Sequence, residues 1–300
     1  MQPLLDAIAT MALPTDAQRL FHGRGGLFPG CEHLTLDVYP PALLLTSFEP
    51  LEGDALAAVG AAITARWPEA PWVYQCRQEG GRTETRLMAG AAPEPHVVTE
   101  TGTCYLVHLL RGQNHGLFLD MAEGRRWVRE HVQPGDKVLN LFAYTCAFSV
   151  VALQAGAAEV VNVDMSDGAL AIGRRNHELN GVKTGAKFLA HDIFNSWGKL
   201  TRGGPYDLVI CDPPSFQKGS FVATKDWARL ARRLPSLLAP GGHALMCLNT
   251  PKLGLDFLRV VTAEQAPKLL FVEWVANPAA FEDVALDRGL KVAVYRLPAL

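Results

Sequence analysis

From residue 136 onward, short apolar runs alternate with longer amphipathic stretches. The runs predict strands at 138–143, 159–163, 188–190, 206–211 and 243–248. Between them, apolar positions recur every three or four residues, which predicts helices at 148–154, 168–179 and 225–238. Two further strands are expected at 270–275 and 290–297. Strands spaced by helices imply an α/β fold with a parallel, doubly wound sheet. The first hundred residues differ. They predict short strands at 34–38, 43–45 and 71–75, and an Ala-rich helix at 54–65 that Asp54 caps and Pro68 follows. Ala92-Pro93-Glu94-Pro95 reads as a junction, and 97–109 alternates around Thr101-Gly102 as a hairpin does. The expected organisation is a small N-terminal α/β domain (1–95), a hairpin linker (96–120) and a larger domain (121–300).

The chain has 300 residues, 49% hydrophobic and 19% charged, enough for one large or two modest cores. Its formal net charge of −2 gives no global attraction to nucleic acid but leaves local docking open. Charge is unevenly placed. Residues 1–100 carry a net charge of −6 and no lysine, whereas 215–260 carry +5. Such clustering reads either as a solvated helix face or as a site for substrate phosphates. The six cysteines show no metal-ligand spacing, so free thiols and no metal are expected. Lacking a signal sequence or a membrane-length apolar run, the protein is expected to be cytoplasmic and away from membranes.

In a doubly wound sheet, ligands meet the C-terminal strand ends. Asp164 ends the second expected strand, where a carboxylate can accept from both hydroxyls of a ribose; the alternative is a helix cap. His191-Asp192 follows the third strand, where Asp192 can accept from an adenine amine, with Ile193 flanking the ring. The first loop, Phe142-Ala143-Tyr144-Thr145-Cys146, contains no glycine. A pyrophosphate cradle requires glycines for close backbone approach, which tells against a nicotinamide or flavin dinucleotide and is compatible with S-adenosylmethionine. The fourth strand ends in Asp212-Pro213-Pro214-Ser215-Phe216. Two prolines fix φ twice and remove two donors, so the chain leaves the sheet as a stiff segment carrying a carboxylate and a ring. It reads as a wall for a planar acceptor or as a plain terminating turn.

These residues, in this order and spacing, resemble the class I S-adenosylmethionine-dependent methyltransferases. More narrowly, they resemble the bacterial 23S ribosomal RNA enzymes that make 5-methylcytosine or 7-methylguanine. The likeness runs from about residue 18 to 300. It includes Gly26-Leu27-Phe28-Pro29-Gly30, Leu36-Asp37, Gly116-Leu117-Phe118-Leu119-Asp120, Asn140-Leu141-Phe142-Ala143-Tyr144-Thr145, Asn176 through Gly181 and the Asp-Pro-Pro-Ser-Phe segment. It implies a Rossmann-like seven-stranded sheet with a substrate-side small domain, and S-adenosylmethionine as cofactor. It further implies that Phe118 and Asp120 help enclose that cofactor, with Asn140, Phe142, Tyr144, Thr145, Asp164, Met165, Asp192, Ile193 and Asp212 around it. The RNA-binding (PUA) module that often precedes the small domain has no counterpart ahead of the likeness, and Cys146-Ala147 stands where a glycine pair is usual.

Cytosine C5 methylation needs a thiolate to add to C6. The family places that cysteine at the end of the fifth strand, and this chain has Asn249 there. Cys247 lies two residues, or about 7 Å, back along the strand. Asparagine at this position resembles the 7-methylguanine branch, in which a base nitrogen attacks directly. The leading expectation is therefore N-methylation of an RNA base, with Asp212, Pro213, Ser215, Phe216 and Asn249 positioning it. The other readings are cytosine methylation through Cys247, a small-molecule or protein methyltransferase, a noncatalytic cofactor- or RNA-binding protein, and a nicotinamide oxidoreductase. The oligomeric state stays open, a homodimer included.

Overall fold

The structure is a computed structural model that describes residues 1–299 apart from 52, 79, 81, 82, 215 and 218–220; residues 216 and 217 are described by their backbone alone. The chain forms two units, one of Met1–Asp120 with Pro278–Ala285 and one of Met121–Asn277 with Leu286–Leu300.

The first unit contains α1 (Gln2–Thr10), β1 (Gln18–His22), β2 (Leu34–Tyr39), β3 (Ala42–Ser47), α2 (Asp54–Arg66), β4 (Trp72–Cys76), β5 (Glu84–Ala89) and the hairpin β6 (His96–Glu100) and β7 (Thr103–Val107). Its sheet runs β1-β2-β3-β4-β5. β3 and β4 are parallel, so α2 is their crossover, and all other neighbours are antiparallel. The hairpin turns on Thr101 (φ 49°) and Gly102 (φ 76°), the two consecutive left-handed residues that match the twist of a tight β-hairpin. Arg19 donates to both oxygens of buried Asp37 at 2.7 and 3.1 Å, and its guanidinium covers Phe281 at 4.3 Å. Burial, and then Arg19, pull His22 down to about 4. The expected boundary at 120 falls where the two units part, whereas that at 95 does not separate them. The hairpin belongs to the first unit, and residues 278–285 return to it, with the Val284 N–H donating to the Gly25 carbonyl at 2.8 Å. Periodicity carries no mark of that return. It also left α1, β1 and β5 unpredicted.

The second unit contains α3 (Ala122–His131), β8 (Lys137–Leu141), α4 (Ala147–Gln154), β9 (Glu159–Asp164), α5 (Asp167–Leu179), β10 (Ala186–Ala190), α6 (Trp197–Gly203) and β11 (Tyr206–Cys211). A ribbon of β12 (Phe216–Gln217) and β13 (Phe221–Val222) follows, then α7 (Ala223–Leu237), β14 (Leu238–Leu248), α8 (Asp256–Gln265), β15 (Leu270–Val275) and β16 (Lys291–Arg296). The seven-stranded sheet has the order β10-β9-β8-β11-β14-β16-β15. Five neighbouring strands are parallel, and β16 runs antiparallel between β14 and β15.

Apolar side chains leave both faces of the sheet. Val209, Cys211, Ala244 and Met246 pack under Trp227, Leu230 and Leu234 of α7, while Leu208, Ile210, Leu245 and Cys247 pack under Trp127, Val128, Phe148 and Val151 of α3 and α4. Burial on both faces is why the strands read as unbroken apolar runs. The chain enters at central β8, moves out through β9 and β10, and returns to β11 on the other side. The ends of β8 and β11 therefore flank the topological switch point, where open α/β sheets bind ligands. The fifth strand starts earlier than expected. Pro240-Gly241-Gly242 lies within β14, where Gly241 has φ 85° and the register to β11 jumps, so the turn residues serve a bulge.

Candidate cofactor and acceptor site

The glycine-free loop after β8 adopts backbone angles that usually call for glycine. Phe142, Tyr144 and Cys146 have φ of 59°, 47° and 60°. For residues with a Cβ, each left-handed conformation costs about 1–2 kcal/mol. Such strain persists only where the surroundings over-determine it, and it concentrates at ligand clamps. The surroundings here are specific. The Asp164 carboxylate accepts from the Tyr144 N–H and from the Ser166 N–H, each at 2.8 Å. Asn176 of α5 donates to the Thr145 carbonyl at 3.0 Å, and the Ala143 N–H donates to the Val163 carbonyl at 3.1 Å. The helix cap after β9 is Ser166, whose hydroxyl accepts from the Ala169 N–H. Asp164 is thus free of the capping role. Each of its oxygens meets one backbone donor and keeps a second lone pair, which suits two hydroxyls of a bound ribose. Met165 beside it is half exposed, at 51%.

A buried polar chain lies beneath the loop. Asn140 is 1% exposed and donates to Asn162 at 2.9 Å; Asn162 donates to Ser149, also at 2.9 Å. Ser149 and the His177 Nε2 are 2.9 Å apart, while His177 Nδ1 faces the Gly173 carbonyl at 2.7 Å. A carbonyl can only accept, so Nδ1 carries the proton and Nε2 accepts from Ser149. Burial lowers the His177 pKa, in keeping with that neutral tautomer. The Asn140 side chain thus begins a buried chain that ties β8, β9, α4 and α5 together. Ser149, Asn162 and His177 were not anticipated. Their signal is faint: polar residues at positions where the periodicity demands apolar ones.

Two residues beyond β10, Asp192 accepts from the Phe194 N–H at 2.8 Å and from Asn195 Nδ2 at 2.7 Å, capping a short 3-10 turn, Ile193–Asn195. Ile193 is 3% exposed and packs in the core cluster. Phe142 is half-buried and meets Phe221 edge-on at 5.4 Å.

Across the switch point, the Asp212 N–H faces the Leu141 carbonyl at 3.5 Å; Pro213 is buried and Pro214 half-buried. Ser215 lies outside the described residues, and Phe216 is described only as backbone in the β12–β13 ribbon. β14 neighbours β11 and ends one residue before Asn249, which is exposed. Cys247 is 0% exposed within the apolar layer below. Cys211 is likewise 0% exposed, and burial, then Asp212, push its thiol above the usual range. The loop after Asn249 is held by Lys291, a residue sequence reasoning passed over. Its ammonium is 2% exposed and donates to the Thr250 and Asp287 carbonyls, both at 2.7 Å. The Asp287 carboxylate in turn accepts from the Leu255 N–H at 2.8 Å. Phe118, exposed, and Asp120 belong to the first unit, where Asp120 contributes to the field at Arg19 and Tyr39. Among the described residues no cluster of His, Cys, Asp and Glu could hold a metal ion, and no helix is long and apolar enough to cross a membrane.

A sheet in this order, with an acid at the end of its second parallel strand and a clamped loop lacking phosphate-cradling glycines, defines a Rossmann-like methyltransferase scaffold. Residues 18–296 match the S-adenosylmethionine-dependent methyltransferase family, and the chain belongs to it. It is 39% identical over 235 residues to ribosomal RNA large subunit methyltransferase I of Aeromonas hydrophila, a match covering 72% of this chain and 57% of that one. The corresponding Aeromonas salmonicida protein is 33% identical over 231 residues, with the same coverage. The chain thus spans little more than half the length of these relatives. Among solved structures, a Streptococcus mutans chain assigned as a S-adenosylmethionine-dependent methyltransferase superposes with a TM-score of 0.84 and 26% identity, covering 98% of this chain and 78% of that one. A methyltransferase structure complexed with SAH matches equally well.

Proposed function

We propose that this chain transfers a methyl group from S-adenosylmethionine to a nitrogen of an RNA base, in ribosomal RNA, without a covalent cysteine intermediate. The observation carrying the reading is the pair at the end of β14: exposed Asn249 and fully buried Cys247. The RNA assignment draws on the relatives' names and on the basic character of 215–260.

Asp164 would hold the ribose hydroxyls, Asp192 the adenine amine, and the loop at 142–146 the remainder of the cofactor. S-adenosylmethionine supplies an electrophilic sulfonium methyl. A ring nitrogen with an in-plane lone pair needs no covalent activation, so the protein's work is alignment and exclusion of water. The Asn249 amide can donate to or accept from a base edge without competing as a nucleophile. Asp212 and the rigid Pro213-Pro214 step form the opposing wall.

The test is transfer of labelled methyl from the donor to undermodified ribosomal subunits, free RNA and a small-molecule extract, followed by nucleoside analysis. Label in an N-methylated base is expected. Label in 5-methylcytosine, with a trappable adduct lost in Cys247→Ser, overturns the direct mechanism; label in the extract alone overturns the RNA substrate. Asn249→Ala should lower kcat about 100-fold while calorimetry shows unchanged donor binding.

A further inference from the structure

A cleft of about 500 Å³ lies between the segment after β10 and helix α7, lined by Phe194, Trp197, Arg229, Arg232, Arg233 and Ser236. Its α7 residues stand at i, i+3, i+4 and i+7, so one helical face supplies them all. The three arginines are exposed, and the two aromatic residues are half-buried. Arg229 covers the Phe194 ring at 3.9 Å and is paired with Asp226 at 2.8 Å. Arg233 lies 5.8 Å from the Trp197 ring, and Arg232 donates to the neutral Gln265 amide. Among the described residues no carboxylate pairs with Arg232 or Arg233. Two uncompensated guanidinium groups therefore stand in a concavity walled by aromatic rings. Lys199 and Arg202 of α6 add exposed positive charge nearby in sequence.

We propose that this cleft binds a single-stranded segment of the RNA substrate, with phosphates on Arg232 and Arg233 and a base against Trp197. The proposal rests on the RNA reading above. A solvated basic helix face would need neither the concavity nor the rings, and an acidic protein surface would use the cations and leave the rings idle. A single strand uses both, because phosphates take the guanidinium forks and every base has a π-face. The cleft is also joined to the cofactor loop by packed rings: Phe194 stacks on Phe221 at 6.4 Å, and Phe221 meets Phe142 at 5.4 Å. RNA held here would lie on elements continuous with the catalytic edge.

The experiment measures binding of the full chain to a fluorescent single-stranded 12-nucleotide RNA across a salt series, with heparin and the same RNA as a duplex as comparators. R232A/R233A should weaken single-strand binding and reduce the salt slope by about 1.4, which is about 0.7 for each of two lost phosphate contacts. W197A should weaken single-strand binding about tenfold and leave heparin binding unchanged. Calorimetry with S-adenosylmethionine should be unaltered in both variants; W197A loses packing against Phe194 and the core and melts lower, so its binding is measured well below that melt. If the wild type methylates ribosomal RNA while both variants bind the oligonucleotide as it does, the cleft is overturned and the activity stands. If W197A is silent and heparin competes as well as RNA, the site is a general polyanion patch and the single-strand assignment fails. A wild type that neither binds nor methylates RNA sinks both readings.

Discussion

The loop after β8 and the loops after β11 and β14 share one edge of one sheet, yet they are held by different means. The loop after β8, proposed to hold the cofactor, is shaped by strain: three left-handed residues, clamped by the Asp164 carboxylate, by Asn176 and by a buried polar chain beneath. The loops proposed to face the acceptor are shaped by covalent stiffness at Pro213-Pro214 after β11 and, after β14, by the buried Lys291 bridging two carbonyls. The difference teaches where each side is vulnerable. A clamped, strained loop fails when a clamp is removed or its packing changes; on the other side, the loop after β14 loosens when the Lys291 tether is removed, while the Pro213-Pro214 step keeps its covalent stiffness.

The largest effect is expected at the clamp. Asp164→Ala removes two backbone hydrogen bonds and the proposed ribose acceptor, so donor affinity by calorimetry should fall about 100-fold or more, since hydrogen bonds to charged groups are worth about 1.5–3 kcal/mol each. A loss below fivefold would mean that Asp164 serves the loop alone. Next is the tether. Lys291→Met leaves two buried carbonyls without their donor, which should cost about 2 kcal/mol in denaturant unfolding and raise KM for RNA with donor affinity preserved. Equal losses on both sides of the edge would erase the distinction drawn between them.

Packing under the strained loop gives a smaller effect. A Cβ on Gly173 would lie 2.5 Å from the Cys146 sulfur, so Gly173→Ala should destabilise by about 1–2 kcal/mol. Cys146→Ala should recover much of that loss in a double-mutant cycle. The smallest effect is protonic. His177 is held neutral with its pKa below the ordinary 6.5. The unfolded chain therefore takes up its proton first, and stability is full above pH 6.5 and declines as the pH falls below it. Hydrogen exchange should show β8, β9 and α5 loosening on acidification, and His177→Gln should flatten that slope.

Much of the second unit was legible because parallel strands buried on both faces read as continuous apolar runs, and their regular alternation with helices implied a parallel, doubly wound sheet. The strand-end acids were legible for a related reason: a strand must end where its apolar run ends, so Asp164, Asp192 and Asp212 are placed by periodicity alone. The glycine-free loop was legible as an anomaly, and it rightly pointed away from a pyrophosphate cradle.

Tertiary structure alone decided the rest. No local pattern states that a loop without glycine will adopt three left-handed angles, because their cost is met by partners far along the chain. None assigns Asn140 to the interior, since an asparagine in a strand faces a ligand or a neighbour according to what the adjacent strand presents. Lys291 reads as a strand's solvated first residue until β16 is set beside β14 and its ammonium reaches the loop after Asn249. Residues 278–285 carry no local pattern that marks their return to the first unit. The sequence determined the sheet and the chemical identity of its edge, through short-range periodicity and chain-terminating residues. Which side chains remain available at that edge depended on contacts distant in sequence, and those exist only once the chain has folded.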